Sequence, residues 1–130
     1  MAAVYVDTSA VGRVLLGEPD AAAVLRELAA FDQHIASRLM RIELRRLALR
    51  EDALDAANQL LAGVALIPLD DAVLTASETL PPPAVATLDA IHLATALRLA
   101  DAGVLETVMT YDHRLADGAR HHGLQVLTPA

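Results

Sequence analysis

The chain has 130 residues and a mass of 13.7 kDa, is 55% hydrophobic and 21% charged, and so predicts one globular domain over 1–130 with a substantial core. It has no cysteine, which excludes disulfides, thiol catalysis and zinc–thiolate sites and fits a cytoplasmic location. Its formal net charge of -7 disfavours a broad non-specific nucleic-acid footprint, and its ten basic residues are all arginine, so neither a P-loop lysine nor a Schiff-base lysine is available. In chain order, an apolar strand is predicted over 3–6, ending at Asp7-Thr8-Ser9, and Asp7 interrupts any secretion signal at once. A helix follows from about Glu18, with Pro19 in its first turn and Val24, Leu25 and Leu28 on one face. A brief strand is expected over 34–36, and Ser37 is a good N-cap for a helix over 37–50. Asp52 opens a further helix carrying Leu54, Ala57 and Leu61. A buried strand over 64–69 ends the longest apolar run, which Asp70 and Asp71 stop well short of the ~18–20 residues that a membrane span needs.

Asp70 then caps a short helix to about residue 79, and Pro81-Pro82-Pro83 breaks the chain. A helix over 87–102 stops at Gly103. The last elements are a strand over 107–111, a helix over 113–122 ending at Gly123, and a strand over 124–127. Strands separated by helices predict a three-layer α/β/α sandwich around a mostly parallel sheet. In such sheets ligands bind beyond the carboxyl ends of the strands, where the strand order reverses. Asp7 and Asp112 stand at such positions, although each is also a natural cap for the helix that follows it.

Two further carboxylates lie within helices. Glu43 sits at the edge of the stripe formed by Met40, Leu44, Leu47 and Ala48, a core face about 100° wide, and its alternative partners are Arg46 and Arg50 on its own helix. Asp89 shares an apolar face with Leu93, Ala96, Leu97 and Ala100, where an ionised group must be protonated, paired or bound to a cation. Its alternative is bonding to backbone donors near Thr87. Four converging carboxylates without lysine suit Mg²⁺ or Mn²⁺, which prefer oxygen ligands, and such ions can activate water for phosphodiester hydrolysis. The hydroxyls of Ser9 and Thr110 are placed to orient the carboxylates. His34, His121 and His122 read as structural or solvated, His92 as a packed histidine with metal ligation as its alternative, and His113 as a possible substrate contact.

On these residues the chain resembles the PIN-domain family, specifically the VapC-type toxin ribonucleases. The resemblance runs through Val6-Asp7-Thr8-Ser9-Ala10, Ser37 six residues before Glu43, 88–96 (LDAIHLATA), 110–115 (TYDHRL) and 123–129 (GLQVLTP). It implies a five-stranded parallel sheet, Mg²⁺- or Mn²⁺-dependent endoribonuclease activity, a homodimer and a cognate antitoxin that inhibits it. Asp7, Glu43, Asp89 and Asp112 take the metal-binding and catalytic positions, Glu43 directly or through water. Relatives carry a further acidic residue in the last helix, for which Asp117 is the nearest candidate, though it lies about 140° around the helix from Asp112.

On the helix over 37–50, Arg38, Arg41 and Arg45 share a side with Leu39, Ile42 and Leu49. This mixed face suggests a dimer partner, an antitoxin helix or RNA phosphates; its alternative is a solvated face. With 2% aromatic residues, stacking of bases on aromatic platforms is not the main mode of RNA recognition. The expected reaction is hydrolysis by metal-activated water, leaving a 5′-phosphate and a 3′-hydroxyl if two ions act. The rivals are a catalytically silent binding protein whose acidic pocket holds a partner, and a phosphotransfer domain, which the missing lysine disfavours.

Overall fold

A computed structural model describes residues 2–130 and contains five strands and seven helices: β1 (Ala3–Val6), α1 (Thr8–Leu15), α2 (Ala21–Leu28), β2 (Gln33–Ser37), α3 (Arg38–Arg50), α4 (Leu54–Ala62), β3 (Ala65–Ile67), α5 (Asp71–Ser77), α6 (Thr87–Asp101), β4 (Thr107–Met109), α7 (His113–His121) and β5 (Gln125–Leu127). Every strand pairing is parallel, in the order β3-β2-β1-β4-β5. The expected α/β sandwich is the observed one.

Alternation along the strands makes two cores. Val4, Val6, Ala36 and Met109 face one side and pack on Val11, Val24, Met40, Leu44 and Leu61 from α1 to α4. Ala3, Tyr5, Ile35 and Val108 face the other and pack on Leu93 and Ala96 of α6 and Leu115 and Ala119 of α7. The chain builds outward from β1 to β3, then returns to lay β4 on the far side of β1. With one handedness of crossover, reversing the direction of travel moves the helices to the opposite face. The reversal therefore falls between β1 and β4, the place where open α/β sheets leave a crevice.

Several boundaries depart from the sequence-based expectation. Helix α1 had no assigned span, although Asp7 reads as a natural cap: Gly12 lowers its helix propensity, yet the residue is buried and its face meets Leu47. Helix α2 begins at Ala21, so Pro19 lies in the turn before it. Asp52 does not open α4; it adopts a left-handed conformation (φ 53°), which a short polar side chain tolerates, and α4 begins two residues later. Strands β3 and β4 end at Ile67 and Met109, because the residues after them turn into helix caps. Ser37 and Asp70 cap as expected, accepting from Leu39 N at 3.1 Å and Val73 N at 2.9 Å. No helix among the described residues is long and apolar enough to cross a membrane.

Candidate active site

Asp7 leaves β1 with 3% of its surface exposed. Its Oδ1 accepts from Ser9 Oγ at 2.7 Å and from Ala10 N at 3.3 Å, and its Oδ2 accepts from Thr110 Oγ1 at 2.9 Å. The cap and the site candidate are thus the same residue. Burial raises the Asp7 pKa, against the lowering effects of nearby His92 and of the hydrogen bonds from Ser9, Thr110 and Ala10. Ser9 and Thr110 carry the order onward: Tyr111 N donates to Ser9 Oγ at 2.8 Å, and Asp112 N to Thr110 Oγ1 at 3.0 Å. Asp112 in turn caps α7, its Oδ1 accepting from Arg114 N at 2.9 Å and Leu115 N at 3.1 Å.

Glu43 makes neither of the arginine pairs open to it on its own helix. Its Oε1 accepts from Thr8 Oγ1 at 2.6 Å and bonds His92 Nε2 at 2.8 Å. Desolvation pushes its pKa up, but the bonds from His92 and Thr8 outweigh it and the net shift is downward. The helical wheel explains the position. Leu39 is 8% exposed and belongs to the protein's own core, which corrects its placement on the arginine face. The buried arc then runs from Leu39 round to Ala48, about 180° at 100° per residue, and Glu43 falls inside it rather than at an edge.

Asp89 makes no cap bond; α6 starts after Ala86 without a side-chain cap. Burial comes first in pushing its pKa up to about 6, and the negative charges of Asp112, Asp7 and Glu43 add to it while His92 opposes. Asp89 and Asp112 line one groove of about 480 Å³ with Ala86, Tyr111, His113 and Arg114. Four chain segments thus contribute carboxylates that act on one another at the β1/β4 reversal. Among the described residues, no arginine pairs with any of the four, and no three acidic or histidine side chains are drawn into a ready coordination shell.

Asp117 is a correction. Its side chain is 79% exposed and pairs with Arg120 at 3.6 Å, because α7 buries Leu115, Ala116, Gly118 and Ala119 and turns Asp117 to water. His34 bonds Leu28 O, and His122 bonds Pro81 O, so both are structural. His92 is packed at 2% exposure, with both ring nitrogens bonded to protein: Nε2 to Glu43 and Nδ1 to the Tyr5 hydroxyl at 2.6 Å. Sequence reasoning missed Tyr5, whose only signal was a hydroxyl on a strand residue two before Asp7, hence on the same face. On α3, Ile42 and Leu49 are exposed, while Arg45 bonds Asn58 of α4.

The chain matches the PIN domain model over residues 4–121. Ribonuclease VapC46 of Mycobacterium tuberculosis is 40% identical over 133 residues spanning all of both chains. Ribonuclease VapC47 of the same organism is 35% identical, covering 97% of this chain and 96% of its own. The crystal structure of M. tuberculosis VapC20, titled a sarcin-ricin loop cleaving toxin, superposes with a TM-score of 0.72 over 97% of this chain and 99% of that one at 16% identity, a likeness of fold. Family model and relatives together cover the sheet, the reversal point and all four carboxylates, and the chain belongs to the PIN-domain family, in its VapC group.

Proposed function

We propose that this chain is a divalent-metal-dependent endoribonuclease, the toxin of a toxin–antitoxin pair, with Asp7, Asp89 and Asp112 as principal ligands and Glu43 ligating directly or through water. The observation that carries the reading is the convergence of four carboxylates, one nearly fully buried, none of them ion-paired to an arginine among the described residues. The names of the curated relatives support ribonuclease chemistry. The donor set fits a hard ion: it is all oxygen, and both nitrogens of His92 are engaged elsewhere, which favours Mg²⁺ or Mn²⁺ over zinc. When bound, such an ion supplies an activated water and stabilises charge on the phosphate.

The chain's own residues set the geometry. Ser9 and Thr110 fix both oxygens of Asp7 and tie that carboxylate to the Asp112 backbone. Thr8 and His92 hold Glu43 ionised and oriented. His113 and Arg114, exposed on the rim beside Asp112, are placed to meet substrate phosphates. The exposed Ile42 and Leu49 between Arg38, Arg41 and Arg45 favour a protein occupant of that face, dimer partner or antitoxin, since RNA phosphates would use the arginines alone. A toxin acting on cellular RNA works in the cytoplasm, in keeping with the absence of cysteine.

The test is cleavage of bulk bacterial RNA in Mn²⁺, with and without EDTA, by the wild type and by Asp7→Asn and Asp89→Asn. Both variants are expected to lose cleavage while keeping the wild-type circular dichroism, and the wild-type fragments to carry 5′-phosphates. EDTA-sensitive cleavage retained by both variants overturns the assignment. Calorimetric Mn²⁺ binding by a wild type that cuts no RNA selects the silent binding protein.

A further inference from the structure

Two buried polar side chains behind the carboxylates, Tyr5 and His92, hydrogen-bond in series toward Glu43. Ser37 N donates to the Tyr5 hydroxyl at 3.2 Å, that hydroxyl lies 2.6 Å from His92 Nδ1, and His92 Nε2 lies 2.8 Å from Glu43 Oε1. Strand β1, the start of α3 and the middle of α6 are thereby joined through one phenol oxygen. We propose that Tyr5 and His92 are positioning residues: the tyrosine hydroxyl, bonded to Nδ1, holds the His92 ring in the orientation from which its Nε2–H anchors Glu43. What Glu43 then does rests on the nuclease reading; the bonds do not.

The proton positions follow from what each partner can accept. An ionised carboxylate has only acceptor sites, so Nε2 carries a hydrogen. In the neutral ring Nδ1 is then a bare acceptor, and the Tyr5 O–H donates to it while its oxygen receives Ser37 N–H. Thr8 Oγ1 and His92 Nε2 both bond the same oxygen of Glu43. Two donors on Oε1 fix a long, flexible side chain and leave Oε2 without a protein donor among the described residues. Without the tyrosine hydroxyl, the buried Nδ1 loses its partner and the ring is no longer held from behind, so the Nε2–H bond to Glu43 loosens and the carboxylate with it. Tyr5 and His92 do not touch substrate; they act through Glu43.

The experiment compares Tyr5→Phe, His92→Gln and His92→Leu with the wild type, and uses Val108→Ala as a core variant on the same face that breaks none of these bonds. Three quantities are measured: the ¹⁵N shifts of the His92 ring, calorimetric affinity for Mn²⁺ alone, and the cleavage rate on bulk bacterial RNA. The expectation is an Nε2–H ring throughout, with the Nδ1 shift of a hydrogen-bonded acceptor in the wild type and Val108→Ala and of an unbonded one in Tyr5→Phe. Mn²⁺ affinity or rate should fall about 10–100-fold in Tyr5→Phe and His92→Leu, whereas His92→Gln, whose amide N–H stands near the position of Nε2, should recover most of it. Unchanged Mn²⁺ affinity and rate in Tyr5→Phe, or losses in Val108→Ala equal to those in Tyr5→Phe, overturn the proposal. If the wild type cuts no RNA, the nuclease reading fails by itself, and the ring shifts and Mn²⁺ affinities still decide for or against the positioning role.

Discussion

Asp89 and Glu43 are two interacting carboxylates whose pKa values move in opposite directions. Burial, then the charge of Asp112 and Asp7, push Asp89 up to about 6, whereas the bonds from His92 and Thr8 bring Glu43 below its ordinary value despite desolvation. The metal-free folded protein therefore holds the Asp89 proton more tightly than the unfolded chain does, and this residue's contribution to stability falls as pH rises from about 4 to about 6, then levels off. Glu43 has the opposite sign: its contribution is present above the ordinary carboxylate range and is lost as pH falls through its lowered value. Asp89→Asn removes the first effect at constant shape. In the presence of EDTA, this variant is expected to melt a few degrees above the wild type at pH 7, from ~1–2 kcal/mol once solvent screening of a half-exposed group is allowed for. The difference should vanish near pH 4; a pH-independent difference in melting temperature would mean that the pocket does not strain Asp89. Asp89 and Glu43 were legible in the sequence because a carboxylate on an apolar helical stripe demands an explanation. Tyr5 was not, because a tyrosine in a short apolar strand is ordinary until three elements meet at its hydroxyl.

Two helices that frame the site carry a mid-helix glycine, and their surroundings differ. A Cβ on Gly12 of α1 would meet Leu47 Cδ2 at 3.4 Å, an ordinary contact, whereas on Gly118 of α7 it would meet Leu93 Cδ2 at 2.9 Å and Val85 Cγ2 at 3.0 Å. Gly12→Ala is expected to stabilise by up to about 1 kcal/mol through helix propensity. Gly118→Ala gains the same propensity but overpacks against a fully buried leucine, a cost of about 1–3 kcal/mol, so the net effect is destabilising. It also pushes α7 away from α6 and with it Asp112, the α7 cap that shares a groove with Asp89. Urea denaturation of the two variants checks the opposite signs, and a Gly118→Ala protein as stable as wild type would show that Leu93 has room to move. The same glycine explains why α1 escaped the sequence reading. Thr8–Leu15 is only eight residues long with the glycine in its middle, so length and propensity both weigh against reading it as a helix. Helices α3 and α6 run to 13 and 15 residues, long enough for their pattern to read.

At the level of the whole molecule, the strand order decides which distant residues become neighbours. Asp7 and Asp112 were legible as strand-end residues. That β1 and β4 lie side by side depends on the chain crossing two strands on its return, a long-range choice that local pattern does not encode. The result is a protein of net charge -7 whose most buried acid, Asp7, sits at the centre of the sheet beside three others. A cation bound there favours the folded state alone and raises stability by RT ln(1 + [L]/Kd), about 2.7 kcal/mol at a hundredfold excess over Kd. The proton on Asp89 competes with that cation, since a ligating carboxylate must be ionised. The rise in melting temperature on adding Mn²⁺ is therefore expected to be full at pH 7.5 and to shrink at pH 5.5, below the value of about 6 to which Asp89 is pushed. In Asp7→Asn the rise should be largely lost at both pH values, because that variant removes the carboxylate held by Ser9 and Thr110, a proposed ligand, without touching Asp89. Differential scanning fluorimetry with Mn²⁺ and with EDTA measures all four cases. A Mn²⁺ shift of equal size in Asp7→Asn and wild type would place the ion elsewhere on this acidic surface and detach the carboxylate cluster from metal binding.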